Sequence, residues 1–469
     1  MESRLEAYRS QGIQLWLEGE KLKFRGQKER LSEDILNELR QNKEEIIAYL
    51  KNRRYELTSI QHAYFAGSTA ECELGNIHAQ YYVEYRHKNI DTCRLEQAVN
   101  EVVRNNGALR TVIDSQGYQK ELSDVPQVTI PVSRGRDTKE LEEVRGYWRN
   151  YRYRYGEWPM INFQVTGLEE GEDILHVSFD CIILDAWSAK MMLDQIFLRY
   201  SGKEVSYPRI SFRRYLELSR VYEKDNKNIA AAMEYWQGKA EKMPERPVLK
   251  LEKGFSEIDI PHFERLDYKF SKEETELLYL KVKSFNFTPA AVICTAFARI
   301  LRRYSVNRAF TLNLTLFNRN PVHEDIERVL GDFTNIGFAS FWGEPEKAFK
   351  EEIRDTQKQL WRLIQYRMYD GTKILRNPGR SMAGKAVMPV VFTGVLQGAL
   401  KNEEKEFKES FAISQTPQVM LDHQARDDEG FLHLSWDYVR EALGDKYIEE
   451  IFSDYITYIK ALIYGEWDV

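Results

Sequence analysis

Asp180, Asp185 and Ser188 are the first residues in this chain whose types and spacing could do chemistry. They lie on one stretch, Ile-Leu-His-Val-Ser-Phe-Asp-Cys-Ile-Ile-Leu-Asp-Ala-Trp-Ser, over residues 174–188. Two carboxylates bracketing an apolar run each need a partner, because an unpaired buried carboxylate costs several kcal/mol. Two readings fit. In the structural one, Asp185 caps a helix and Asp180 holds an arginine across the fold. In the chemical one, the pair marks a site at a strand-to-helix junction. The flanks supply that junction: Leu175, Val177 and Phe179 alternate with His176 and Ser178 as in a strand. Met191, Met192, Ile196, Phe197 and Tyr200 then recur at helical spacing, with Gly202 as a stop.

The elements that position this stretch belong to a long chain. At 469 residues, 43% of them hydrophobic and 30% charged, it is too large for one ordinary core, and two or three domains are expected. A net charge of −6 gives no electrostatic case for nucleic acid. No apolar run approaches the roughly 18 residues of a membrane helix. The N-terminus lacks the apolar core of a signal peptide, so no membrane partner is expected and a cytoplasmic location fits. Cys72, Cys93, Cys181 and Cys294 are scattered without a C-x-x-C pair, which indicates neither a disulfide scaffold nor a metal site. With no P-loop and no Rossmann glycine fingerprint, the chain is expected to bind no cofactor itself.

Residues 1–53 read as a separate small domain: a helix from Leu5 to Ser10, a hairpin through Ile13–Leu17 and Leu22–Phe24, a helix capped by Ser32, and a last helix carrying Ile46, Ile47 and Leu50. Lys21, Lys23 and Arg25, with Lys28 and Arg30 beside them, make the second strand basic. Either these charges guard an open edge against aggregation, or the edge takes an acidic peptide by strand addition. The order helix, hairpin, helix, helix resembles the N-terminal docking domains of hybrid peptide and polyketide synthetases. That resemblance implies a grip on the C-terminal tail of the preceding synthetase.

Asp180, Asp185 and Ser188 fit D-x-x-x-x-D-x-x-S, which resembles the signature of heterocyclization domains of nonribosomal peptide synthetases. Their sister condensation domains carry H-H-x-x-x-D-G there, and Cys181 stands where the second histidine would be. Further stretches follow the family in order. Leu57-Thr58 through Gly67 matches its opening motif, and Met243-Pro244-Glu245-Arg246-Pro247 keeps its proline spacing. Gly331-Asp332-Phe333-Thr334-Asn335 and Pro389-Val390-Val391-Phe392-Thr393 follow, the latter ending in Gly394 where the family has serine. Ile413-Ser414-Gln415-Thr416-Pro417-Gln418-Val419-Met420-Leu421-Asp422-His423-Gln424 matches at every fixed position. Arg104-Asn105-Asn106-Gly107-Ala108-Leu109-Arg110 departs from the family pattern at Asn105 and at the Gly-Ala pair.

The resemblance implies an α/β fold of two chloramphenicol-acetyltransferase-like lobes in a V, residues 55–225 and 226–469, around a tunnel. It implies condensation of an upstream carrier-bound acyl thioester with carrier-bound cysteine, serine or threonine, then cyclodehydration to a thiazoline or oxazoline. The partners would be an upstream carrier protein with its C-terminal tail and a downstream peptidyl carrier domain, both presenting substrate on phosphopantetheine arms. Family knowledge assigns proton transfer to Asp422 and its orientation, or that of the hemiaminal oxygen, to Thr393. Asp180, Asp185, Ser188, Gln415 and Asn335 are expected to position substrate or hold the tunnel, and His423 to pack. Asn318 and Arg319 either hydrogen-bond substrate or brace a loop, with bracing favoured, and one arginine of an expected helix from Lys139 to Tyr155 is a candidate partner for Asp180. A plain amide-forming condensation domain and a non-catalytic carrier-recruiting domain are the rivals. Without adenylation and carrier segments, the chain is expected to be an N-terminal piece of a larger synthetase.

Overall fold

The alternation at residues 174–180 becomes a strand, Glu172–Asp180, but one buried on both faces. Leu175, Val177 and Phe179 pack in the apolar core under the helices Thr92–Asn105 and Ala186–Tyr200. His176, Ser178 and Asp180, on the opposite face, enter a buried polar layer rather than solvent. There the Gln80 amide donates to Ser178 Oγ at 2.8 Å, and His176 Nδ1 lies 2.7 Å from the Tyr82 hydroxyl. A computed structural model describes residues 1–469 apart from 19–20, 27–29, 70–71, 135–137, 169–170, 344–346, 376–384, 397–405 and 468–469.

This strand sits third in a five-stranded sheet ordered Lys408–Gln415, Gln80–Lys88, Glu172–Asp180, Ile161–Gly167, Val132–Arg134. The outermost strand, Lys408–Gln415, comes from the expected second lobe and pairs antiparallel with Gln80–Lys88. A division at residues 225 and 226 is therefore not a clean cut in space. Helix Thr138–Arg149 contacts the polar side of the sheet, with Arg145 donating to both carboxylate oxygens of Glu84 at 2.8 Å. This helix is shorter than expected. Tyr151, Tyr153 and Tyr155 follow it outside any helix, and the alternating Tyr-Arg-Tyr-Arg-Tyr puts Tyr153 into the core with its hydroxyl 3.0 Å from Ser178.

A six-stranded sheet carries the second lobe: Phe263–Lys269, Phe431–Val439, Leu421–Asp428, Val390–Val395, Phe310–Phe317, Thr334–Phe341. Its central pairings, on either side of Val390–Val395, are parallel and the others antiparallel. Helix Pro289–Tyr304 is capped by the Thr288 hydroxyl, with proline in its first turn. Its Val292, Ile293, Ala296, Phe297, Ile300 and Leu301 are all fully buried. The closing helix, Asp445–Tyr464, packs alongside it.

The N-terminal domain has the expected order: helix Glu2–Ser10, strands Gln14–Glu18 and Lys21–Arg25, helices Glu33–Gln41 and Lys43–Asn52. Its buried core is small, namely Leu5, Tyr8, Ile13, Leu15, Leu39, Ile46 and Leu50. It is seated on helix Phe212–Asp225 of the first lobe. Arg213 donates to the Leu50 carbonyl, Arg214 lies over the Trp16 ring at 4.5 Å, and Glu217 takes Arg53 at 3.4 Å. Among the described residues, no single helix is long and apolar enough to cross a membrane. Removing the two arginine contacts together (Arg213→Ala, Arg214→Ala) is expected to speed proteolytic cleavage near residues 51–55 while the main melting transition stays in place. Cleavage at the wild-type rate would show that the domain is held by other means.

Candidate active site

Asp185 caps helix Ala186–Tyr200, its Oδ1 accepting the Ser188 amide at 2.6 Å. Its other oxygen accepts the Phe333 amide at 3.0 Å, across the boundary between the lobes. Ser188 Oγ accepts the Gly331 amide at 3.1 Å and an Arg319 guanidinium N–H at 2.9 Å. The backbone of Gly331-Asp332-Phe333 is thus gripped on both sides of Asp332. Phe212 closes the far side, so close that a Cβ on Gly331 would sit 2.2 Å from its ring. Arg319 braces as expected, donating to the Ile326 and Val329 carbonyls and stacking 3.8 Å from the Phe333 ring centroid.

Among the described residues, Asp180 takes no arginine. His78 Nδ1 lies 2.7 Å from its Oδ2, and the Ile182 amide donates to its Oδ1 at 2.9 Å. The arginines of the 138–155 region are committed elsewhere: Arg145 to Glu84, Arg149 to Glu264, Arg152 to Asn76 and Arg154 to Glu157. Burial, reinforced by the charges of Asp180 and Asp332, pushes the Cys181 thiol well above its ordinary range, which disfavours a thiolate nucleophile.

The second lobe presents a polar sheet face. Asp422 is nine-tenths buried at the start of strand Leu421–Asp428, opposite Val391 on one neighbour and Asp437 on the other. Gln424, two residues on and therefore on the same face, donates to Asp422 Oδ2 at 2.8 Å and to Asp437 Oδ2 at 3.0 Å. Arg265 completes the row with paired bonds to Asp437 at 2.6 and 2.5 Å. Thr393, in register with Gln424, donates to the Thr315 hydroxyl at 2.8 Å. Among the described residues, Asp422 Oδ1 is buried without a hydrogen-bond partner. Burial, and next the negative charge of Asp437, raise the Asp422 carboxyl to about 7, against the pull of Gln424, Arg265 and the Thr393 hydroxyl. The Tyr64 hydroxyl and the Cys181 thiol both feel the charges of Asp332, Asp422 and Asp185, so the strand-to-helix junction and the polar face share one interior.

His423 faces the other way, into the apolar core, with Nε2 2.8 Å from the Tyr455 hydroxyl. Burial lowers it to about 3, leaving it a neutral packing partner. Gln415 does not reach Asp422; its amide donates to Gln80 Oε1 at 3.1 Å and to the His78 carbonyl at 3.3 Å. Asn335 is occupied at both ends, donating to the Arg367 and Tyr369 carbonyls and accepting from Ile336 and Gly371, so it holds a loop. Lys21, Lys23 and Arg25 are exposed on a strand whose outer edge has no strand partner among the described residues; Lys23 meets Glu18 at 3.2 Å. Arg30 bonds the Gln11 carbonyl at 3.2 Å, and Lys28 lies outside the described residues.

Gln424, Asp437, Arg265, Thr315 and His78 were not singled out from sequence. Period-two spacing from Asp422 marks Gln424; Arg265 and His78 carry no local signal at all. Among the described residues, no group of three or more His, Cys, Asp or Glu is placed to hold a metal ion. Ser188→Ala strips a buried backbone amide and a guanidinium of their acceptor, and is expected to destabilise the fold by about 1–3 kcal/mol. A chemical-denaturation midpoint equal to wild type would show that the Gly331 loop is held without it.

Comparison with known proteins agrees with this architecture. Residues 51–465 match the condensation domain, and residues 2–52 match the TubC N-terminal docking domain. The chain is 28% identical over 489 residues to pyochelin synthetase PchF of Pseudomonas aeruginosa, covering 98% of this chain and 26% of that protein. It is 26% identical over 424 residues to phenyloxazoline synthase MbtB of Mycobacterium sp. (strain MCS), covering 88% of this chain and 36% of that one. The chain thus spans well under half the length of either relative. Its fold is similar to that of the EpoB cyclization-docking bidomain of Sorangium cellulosum, with a TM-score of 0.80 at 24% identity, over 100% of this chain and 99% of that one. From the match over residues 51–465, the chain belongs to the condensation-domain family.

Proposed function

We propose that residues 55–225 and 226–469 form a heterocyclization domain, and that residues 1–53 dock the C-terminal tail of an upstream synthetase. The single observation that carries the first part is the Asp422 carboxyl, held by Gln424 through one oxygen, open at the other, and raised to about 7. The D-x-x-x-x-D-x-x-S signature at Asp180, Asp185 and Ser188 and the names of the cyclization bidomain and of phenyloxazoline synthase support it.

In the first stage, the amine of a carrier-bound cysteine, serine or threonine attacks the upstream thioester. A C–N bond forms, the C–S bond breaks, and the upstream pantetheine leaves as thiol. Holding both tethered substrates in one interior supplies effective concentration. In the second stage, the side-chain thiol or hydroxyl adds to the new amide carbonyl. The carbonyl oxygen becomes a hydroxyl, then departs as water while nitrogen loses its proton and the C=N bond forms. Asp422 gives the proton that the departing hydroxyl takes and receives the one that nitrogen loses. Thr393 orients that hydroxyl. Asp180, Asp185, Ser188 and Asn335 hold the architecture, and Gln415 ties the seam between the lobes. Substrates arrive on the phosphopantetheine arms of an upstream carrier protein and a downstream peptidyl carrier domain. The exposed Lys21, Lys23 and Arg25, with Lys28 and Arg30, select an acidic tail. Cytoplasmic reducing conditions suit thiols at Cys72, Cys93, Cys181 and Cys294.

Asp422→Asn is expected to leave linear amide accumulating on the downstream carrier, read by intact mass as a product retaining one water; ring formation at the wild-type rate removes Asp422 from the mechanism. In wild type, the acid form is lost as pH rises through about 7, so the linear fraction should grow above that pH. The fold carries the opposite burden. A carboxyl with its folded value raised to about 7 opposes folding once ionised, so Asp422→Asn should melt higher than wild type at pH 8 and no higher near pH 4.

Charge reversal at Lys21, Lys23 and Arg25 together is expected to weaken binding of an acidic upstream tail at least tenfold by calorimetry, without moving the melting of the large lobes. Unchanged affinity would place the docking surface elsewhere.

A further inference from the structure

An imidazole reaches the D-x-x-x-x-D-x-x-S stretch from another element. We propose that His78, oriented by Asp180, accepts the proton of the attacking amine in the amide-forming stage. This rests on the two-stage reading above and adds the base that the reading leaves unassigned.

Asp180 is fully buried, and each of its oxygens is used: Oδ1 by the Ile182 amide at 2.9 Å, Oδ2 by His78 Nδ1 at 2.7 Å. In the neutral imidazole a carboxylate at that distance holds the proton on Nδ1, which leaves the Nε2 lone pair as the acceptor. Nε2 makes no hydrogen bond with a described residue. The His78 side chain keeps 11% exposure where that of Asp180 has none, so what accessible surface the pair retains belongs to the imidazole. Tyr155 packs 4.9 Å from the ring centroid and Tyr153 lies edge-on at 6.4 Å, which limits ring rotation. The backbone places the pair where the lobes meet. The His78 carbonyl accepts from Gln415, whose strand leads on towards Asp422, and the Ala79 carbonyl accepts the Cys181 amide at 2.7 Å.

The step balances without another reagent. The amine lone pair forms the C–N bond, and the tetrahedral centre expels the pantetheine sulfur with the C–S electron pair. The proton leaving nitrogen passes to His78 Nε2 and from there to the sulfur, regenerating neutral imidazole and releasing thiol. The same orienting relation, a buried carboxylate on one ring nitrogen and reacting atoms on the other, serves acyl transfer in hydrolytic triads. Asp180 acts through His78 and is a positioning residue. Cyclodehydration, assigned to Asp422, does not need His78.

The test separates the stages on the full 469-residue chain. Amide formation is followed from an acylated upstream carrier to a cysteinyl downstream carrier; cyclodehydration is followed from the preformed linear amide on the downstream carrier. His78→Ala and His78→Gln are expected to slow amide formation by roughly 10²-fold and to leave cyclodehydration within about twofold of wild type. Added imidazole should restore part of the lost rate in His78→Ala, which repair of a merely structural defect would not show. Asp180→Asn should slow amide formation less than His78→Ala does, and nothing further when combined with it. Wild-type amide formation in both His78 variants overturns the proposal, as does an equal loss in both stages. Wild-type protein that forms amide but never a ring refutes the cyclization reading while the His78 comparison still stands; protein that forms neither product refutes both.

Discussion

Everything at this site depends on two side chains at one helix start gripping the backbone of another lobe. Asp185 and Ser188 accept the amides of Phe333 and Gly331, and Arg319 binds the same serine while stacking on Phe333. Backbone amides buried between lobes must find acceptors, and here side chains rather than a sheet provide them. The consequence is geometric. The relation between the Asp180–Asp185 junction and the polar sheet face is set by hydrogen bonds with little latitude in distance, and a small displacement at a reacting centre can cost orders of magnitude in rate.

The second sheet divides its labour by face. Phe392, His423 and Trp436 pack with Phe297 in an apolar layer, while Thr393, Gln424, Asp422 and Asp437 line the other side. Strand periodicity makes both outcomes available to consecutive residues, which is why Asp422 and His423 differ so sharply in environment. The carboxyl is kept in place by one amide and by the Arg265–Asp437 pair behind it. That pair supplies a nearby negative charge without a partner cation of Asp422's own, so the acid form persists to near neutrality.

Much of this was legible in residues taken in order. The caps at Ser32 and Asp185 are local events, and local spacing revealed them. The two-lobed α/β fold and the docking domain followed from ordered motifs. What escaped notice is non-local. Asp180 was expected to find an arginine, because a buried carboxylate needs a partner and arginines were near in sequence; the partner is His78, 102 positions away. Alternation at residues 174–180 predicts one core face and one polar face, yet both are buried, since a helix covers the polar side too. Gln415 was expected to position substrate or hold the tunnel; its strand crosses between the lobes and carries it to Gln80.

The crossing strand Lys408–Gln415 also governs the order in which the chain can assemble. Its partner strand, Gln80–Lys88, is made first, and the bond between Gln80 and Gln415 spans 335 positions. During synthesis the first lobe therefore waits with one sheet edge unpaired until most of the second lobe has emerged. An exposed strand edge is a template for wrong pairing, and contacts this distant form slowly because the loop must close first. The first lobe's sheet is therefore complete only when the later half of the polypeptide returns to add its edge strand.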